Sequence, residues 1–328
     1  MAQPALPIFV DFELPPILYN EHGRMRTVGV EVEFAGPSAE QTVRALQQEL
    51  GGRITEDDPH AFELRGSSAG DMTIELDTRI VHPAKHAAGK KSPGRILPRV
   101  AAWFGFAASY LIPCELVSAP TPIDRLRDLE KLLTVLRDLG AKGTQDAPFY
   151  AFGLHFNPEI PRQDAATVTA FMKSFALLNA WLRREVAPDT TRGLLGFADP
   201  FPVEYIEMIA APDYWPDLAT FIDDYLAANP TRNRDLDLLP LLLHFDEERV
   251  RKALPSEKIN GRPTFHYRLP DARVSDPGWS MAPDWNRWVA VERLAADCEK
   301  LDAVGSAYLA FKGEDKSWAD VVAQVVKS

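Results

Sequence analysis

The sequence is poor in cysteine. It has two, Cys114 and Cys298, too few for a disulfide framework, and no C-x-x-C pair offers a metal-ligand pattern, so a reducing compartment is expected. Basic charge is also short. Against 47 Asp and Glu stand 36 Lys and Arg, for a formal net charge of −11. That argues against a nucleic-acid or anionic-membrane partner, because such surfaces need clustered cations. Long apolar runs are missing too. The longest uncharged stretch, Val100 to Cys114, is interrupted by Ser109, Tyr110 and Pro113; it is too short to span a bilayer and reads as buried structure. The opening residues, MAQPALPIFVDFELPP, lack the basic start and apolar core of a signal peptide, which makes the cytoplasm the expected location. No internal repeat or low-complexity segment is visible.

What remains is an ordinary globular composition. The 328 residues are 46% hydrophobic and 25% charged, enough to bury a substantial core. The prolines fall in short clusters between periodic segments, as loop punctuation. Several helices carry their own start signals. Ser38-Ala39-Glu40-Gln41 is a capping box, and Gly51-Gly52 ends the helix it opens. Thr121-Pro122 opens a second helix that ends at Gly140. Asp164 caps a third running to about Val186. Tyr214–Ala228, Asp284–Lys300 and Ser317–Val326 are read as further helices.

Five segments read as strands, and their two faces differ. Met25–Phe34 places Val28, Val30, Val32 and Phe34 on one side and Gly29, Glu31 and Glu33 on the other. Met72–Asp77 sets Met72, Ile74 and Leu76 against Thr73, Glu75 and Asp77. Tyr150–Asn157 sets Tyr150, Phe152, Leu154 and Phe156 against Gly153, His155 and Asn157. Thr264–Leu269 sets Phe265, Tyr267 and Leu269 against Thr264, His266 and Arg268. Glu115–Ser118 is shorter and less regular. Alternate residues share a face, so the expected architecture is α+β: an antiparallel sheet with one polar face and helices on the other.

Glu31 and Glu33 are the sharpest local signal. Their Cβ atoms should lie roughly 7 Å apart on the same side of a strand. Carboxylates held so close repel unless a cation sits among them, and hard divalent ions prefer oxygen ligands. The alternative is the solvated face of an edge strand. Asp77, Glu115, His155 and His266, each interrupting an apolar context on another segment, favour the cation. Such a set could hold two Mg²⁺ ions together with substrate phosphates.

Val28-Gly29-Val30-Glu31-Val32-Glu33-Phe34 resembles the opening strand of the amidoligase family, carboxylate–amine ligases related to glutamate–cysteine ligase and glutamine synthetase. Glu115-Leu116-Val117-Ser118-Ala119-Pro120 resembles that family's E-hydrophobic-V-S-P strand. Gly153-Leu154-His155-Phe156-Asn157 is similar to its G-x-H-x-(H/N) strand, and Thr264-Phe265-His266-Tyr267-Arg268 to its T-x-E-x-R strand. The motifs occur in family order across about residues 25–300. The resemblance implies a glutamine-synthetase-like sheet with a concave active face. Residues 1–24 would be an N-terminal extension and 25–328 a single catalytic domain, with 81–99 as an inserted loop. That loop, carrying Lys85, His86, Lys90, Lys91 and Arg95, is either a basic lid over phosphates or a solvated excursion.

The resemblance also implies roles. Glu31 and His155 would bind the metal that coordinates the ATP phosphates. Glu33 and Glu115 would bind a second metal near the acyl acceptor. Asp77 falls where the family has an acid, with Glu75 as a rival. Arg268 would neutralise the transferred phosphoryl group, sharing the catalytic role with Glu115. Asn157 stands where many relatives have a second histidine. His266 stands where the family usually has glutamate, which would shift metal preference, weaken the site or mark an inactive member. Asn260, Lys258 and Arg262, just before His266, are read from position as nucleotide or substrate contacts.

The implied cofactors are ATP and Mg²⁺, with Mn²⁺ as the alternative, and the implied partners are small carboxylates and amines, amino acids or peptides; assembly into homo-oligomers stays open. The implied reaction is ATP-dependent amide formation through an acyl phosphate. The same ligands would also suit a metal-dependent amide or phosphoester hydrolase, or a degenerate nucleotide-binding protein.

Three local patterns are set aside. Gly66-Ser67-Ser68-Ala69-Gly70 matches a nucleophile elbow but precedes a strand rather than a helix, so it reads as a turn between strands. Gly89-Lys90-Lys91-Ser92 lacks the earlier glycine of a P-loop. Trp279, Trp285 and Trp288 at helical spacing read as core.

Overall fold

In the first strand, β1 (Thr27–Phe34), the alternation is realised in full: Val28, Val30, Val32 and Phe34 are buried to 1% exposure or less. Each such side chain contributes roughly 1.5–3 kcal/mol of burial free energy, so a slip by one residue would drive Glu31 and Glu33 into the core. The computed structural model describes residues 10–76, 113–147, 150–187, 198–257, 259–311 and 315–327. Asp77, the 81–99 loop and Lys258 lie outside them.

Around β1 the described chain builds a seven-stranded antiparallel sheet. Its other members are β2 (Arg53–Asp58), β3 (Ala61–Ser67), β4 (Gly70–Leu76), β5 (Cys114–Ser118), β6 (Thr121–Pro122) and β7 (Leu154–Pro158). The order is β2-β3-β4-β5-β1, with β6 and β7 both pairing β1. Ser68 and Ala69 form the turn between β3 and β4, so the Gly66–Gly70 pattern joins two strands as read from the sequence.

Helix α1 (Ala39–Leu50) starts on the expected capping box: Ser38 Oγ accepts from the Gln41 amide, and Gln41 Oε1 accepts from the Ser38 amide. Such a cap is worth about 1 kcal/mol, and the helix buries Val43, Leu46 and Leu50 toward β3 and β4. After α2 (Glu130–Asp138), the long α3 (Ala165–Val186) begins where Asp164 accepts from the Thr167 amide. By length and composition α3 could cross a membrane, yet 72% of its most apolar window is buried inside the protein. It packs along α8 (Ala282–Ala295). Phe171 of α3 stacks on Phe265 at 4.7 Å, and Phe265 meets Trp288 at 5.4 Å. Trp285 and Trp288 are fully buried, so the tryptophan group is core packing as expected. Between α3 and α8 lie α4 (Val203–Ala210), α5 (Leu218–Ala228), α6 (Leu239–Phe245) and α7 (Glu247–Ala253). Two more helices, α9 (Cys298–Ala310) and α10 (Asp315–Lys327), close the chain.

Four expectations need correction. Thr264–Leu269 forms no ladder strand; it makes isolated bridges, Thr264 to Glu159 and Tyr267 to both Phe156 and Leu236. Pro263 and Pro270 flank it and lack the amide donors that would extend pairing. The strand expected from Tyr150 begins only at Leu154. Thr121-Pro122 opens no α-helix: both residues pair with β1, and a 3-10 turn over Ile123–Leu129 precedes α2. The helix read as Asp284–Lys300 is two helices, because Asp297 caps a new start by accepting from the Lys300 amide.

Candidate active site

Register decides which polar residues meet. β1 pairs β5 so that Glu33 lies opposite Glu115, and β4 pairs β5 so that Glu75 lies opposite Glu115. Three glutamates therefore form one cross-strand row. The next row holds Glu31 opposite His155, and the one after it Gly29 opposite Asn157. The Phe156–Tyr267 bridge carries these rows onto the next segment, bringing His266 to Asn157 and Arg268 to His155. A further bridge, Leu236 to Tyr267, adds Asp237 beside His266, and the Asp237 amide donates to the His266 carbonyl at 2.9 Å.

Glu31 is the hub. Its Oε2 lies 3.0 Å from His155 Nδ1 and 3.6 Å from His266 Nε2, and its Oε1 accepts from Asn157 Nδ2 at 2.8 Å. Arg262 Nη2 stands 3.8 Å from Oε1. Glu33 Oε2 accepts from the Gly153 amide at 2.7 Å. Glu31, His155, Asn157, His266 and Arg268 are all buried, whereas Glu33 and Glu115 are half-buried. Two groupings have mutually close donor atoms, Glu31 with His155 and His266, and Glu33 with Glu115 and His155.

Electrostatics favour metal-ready forms. Burial would raise the Glu31 carboxyl, but the facing His266 ring and the hydrogen bond to His155 hold it well below the usual carboxylate range. Burial pushes His155 down to about 4 against the pull of Glu31 and Glu33. His155 is thus neutral near pH 7, the form that offers a lone pair. Asp237 is fully buried. Burial would raise it too, but the facing His266 ring, with Arg232 and Arg268, keeps it low.

Two buried features suit a cation or ligand. Both His266 ring nitrogens lack a hydrogen-bond partner, standing 3.5 Å from Asp237 and 3.6 Å from Glu31, and Asn157 Oδ1 is also unpartnered. Nitrogen and carboxylate donors held at that spacing are the donor set of a divalent ion. Beside them opens a cleft of about 530 Å³ whose walls include Arg24, Gly29, Glu31, Asn157, Arg262 and Thr264.

The residues expected at the site divide. Glu31, Glu33, Glu115, His155 and His266 converge, with Asn157 and Arg262 beside them. Arg268 is buried in register with His155, with Nη1 donating to the Arg232 carbonyl. Asn260 is exposed and does not line the cleft. Sequence reading missed Asp237 and Arg232, whose Nε donates to Asp237 Oδ2 at 3.0 Å. The alternation Asp235-Leu236-Asp237-Leu238 was the available signal, since it sets both acids on one face.

Searches of curated proteins and of solved structures each found no match. A family model described as "Putative amidoligase enzyme" matches residues 24–290, a span that takes in β1, β5, β7 and the His266 segment. The chain belongs to the amidoligase family, whose members are enzymes of ligase type.

Proposed function

We propose that the chain is an ATP-dependent carboxylate–amine ligase, forming an amide or peptide-type bond on a glutamine-synthetase-like sheet whose polar face is concave. The observation that carries this reading is the pairing of rows on one face, Glu31 with His155 and Glu33 with Glu115. Glu31, His155 and His266 would hold one divalent ion, and Glu33 and Glu115 a second. Such ions, Mg²⁺ or Mn²⁺, supply charge neutralisation for a triphosphate.

A carboxylate repels an amine and has no good leaving group. In the proposed reaction the γ-phosphoryl leaves the bridging oxygen of ADP and bonds to an oxygen of the substrate carboxylate. The amine then attacks the acyl carbon, loses one proton and expels inorganic phosphate. The chain's own part is positioning. Asn157 orients Glu31 through its amide nitrogen and leaves Oδ1 for an N–H of the bound ligand. Arg262, at the cleft wall, is placed to meet phosphate oxygens. Arg268, whose charge also acts on Asp237, would help neutralise the transferred phosphoryl group.

The test is a screen of amino-acid and small-peptide pairs with ATP and a divalent ion, read by ADP release and mass spectrometry. ADP should appear only when carboxylate and amine are both present, with a product mass equal to their sum less one water. Turnover without nucleotide would overturn the reading in favour of a metal-dependent hydrolase. Nucleotide binding indifferent to divalent ions would mark a degenerate binding protein.

A further inference from the structure

We propose that His266, braced by Asp237, makes the Glu31 site select a nitrogen-accepting divalent ion of the Mn²⁺-to-Zn²⁺ series over Mg²⁺. The inference deepens the reading above and takes from it only that a divalent ion sits over Glu31.

The argument starts from donor chemistry. Mg²⁺ is a hard ion that prefers oxygen and keeps its waters, whereas imidazole suits Zn²⁺ and other transition ions. Here one carboxylate and two imidazoles have donor atoms within 4.8 Å of one another, all buried. A glutamate at position 266 would supply a second carboxylate and suit Mg²⁺; His266 supplies an imidazole nitrogen instead. The His266 ring is also aimed. Its Nε2 points at Glu31 and its Nδ1 at Asp237, and both atoms are buried without a hydrogen-bond partner. Cross-strand pairing places Asp237 behind the ring, and its own Oδ1 is fixed by the Leu239 amide at 3.0 Å and Oδ2 by Arg232. A carboxylate behind a ligating histidine holds the Nδ1–H tautomer and presents Nε2 to the ion. Asp237 is thus a positioning residue, acting through His266.

The experiment uses the full chain, stripped with a chelator and titrated calorimetrically with Mg²⁺, Mn²⁺ and Zn²⁺ without nucleotide. The wild type should bind Mn²⁺ and Zn²⁺ far more tightly than Mg²⁺. Any mixed-donor site favours Zn²⁺ to some degree, so the deciding quantity is the change in the Zn²⁺-to-Mg²⁺ affinity ratio. In His266→Glu that ratio should fall by about tenfold or more, and Asp237→Asn should weaken Zn²⁺ by about 10–100-fold. A ratio unchanged in a folded His266→Glu protein would overturn the inference.

The His266→Glu change sets a new carboxylate against buried Asp237 and can prevent folding, so a second measurement needs no variant. With ¹⁵N-labelled histidine, long-range proton–nitrogen spectra of the wild type should show Zn²⁺ moving His266 Nε2 from its free position while Nδ1 keeps its proton. A His266 signal that Zn²⁺ leaves in place would overturn the inference by itself. These readouts are separable from the ligase reading. If the ratio and the Nε2 shift hold but no metal supports joining of any pair, the ligase assignment fails and the selectivity stands.

Discussion

Two buried clusters of charge lie five residues apart along the chain, and they are built to opposite specifications. Just before β1, Arg26 donates to both carboxylate oxygens of Glu292 at 2.7 and 2.8 Å, and to the carbonyls of Ile17 and Glu159. Trp288 Nε1 donates to the same carboxylate at 2.7 Å. Five residues further on, Glu31 meets His266 at 3.6 Å and Arg262 at 3.8 Å, and His266 meets Asp237 at 3.5 Å. One cluster is closed, with each guanidinium nitrogen of Arg26 placed against an acceptor. The other bonds Glu31 to His155 and Asn157 but holds His266 and Arg262 beyond hydrogen-bond reach of it, at spacings that suit a ligand among them. Burial is similar in the two cases, so burial alone does not mark a site; the spacing of the partners does.

The closed cluster should fail through stability. Arg26→Met would strand the Glu292 carboxylate in the core, and loss of one partner of a buried pair costs about 3–5 kcal/mol. Chemical denaturation should show that loss, and Arg26→Met with Glu292→Met should recover part of it. Recovery stays partial because Trp288 Nε1 then has no acceptor. A single variant that unfolds at the wild-type denaturant concentration would break the comparison from this side.

The open cluster should fail through chemistry. Glu31→Gln keeps the side-chain volume but removes the anion, and it should cut substrate-dependent ADP release by about 10²–10³-fold, the scale of losing one electrostatic anchor of a transition state. Its folding stability should fall by less than that of Arg26→Met, since the amide can still accept from Asn157 and hydrogen-bond His155. Equal losses of stability from Glu31→Gln and Arg26→Met would show that both clusters are merely structural.

How far such a contrast could be read beforehand depends on the range of the forces involved. Period-2 alternation showed which side of β1 carries Glu31 and Glu33, and the caps at Ser38 and Asp164 located two helix starts to the residue. Those are local effects, legible in a few neighbouring residues. The hairpin over Arg53–Ser67 escaped because β2 is mostly exposed and so carries no apolar alternation. Asp237 escaped because its importance comes from Tyr267 pairing with Leu236 across the fold. The His266 segment was read for its face but not for its pairing, which its flanking prolines cut short. The bond from Arg268 to the Arg232 carbonyl, across 36 residues of sequence, is of the same long-range kind.

Asp284 lies between the two extremes and gives the smallest and most graded test. Its carboxylate is buried at the start of α8 with one close ion-pair partner, Arg287 at 2.7 Å. Burial outweighs Arg287 and pushes the group from 3.8 up to about 6. The folded state therefore prefers the protonated acid. Between about pH 4 and pH 6 the unfolded chain has released this proton and the folded chain has not, so stability falls as pH rises through that window. Above it the cost stays constant. Asp284→Asn removes the cost, and should stabilise the protein at pH 8 by about 3 kcal/mol, shrinking toward zero by pH 4. Urea unfolding at both pH values measures the difference. A gain that does not shrink on acidification, or a loss at pH 8, would mean Arg287 compensates Asp284 as fully as Arg26 compensates Glu292, and Asp284 would then belong with the closed cluster.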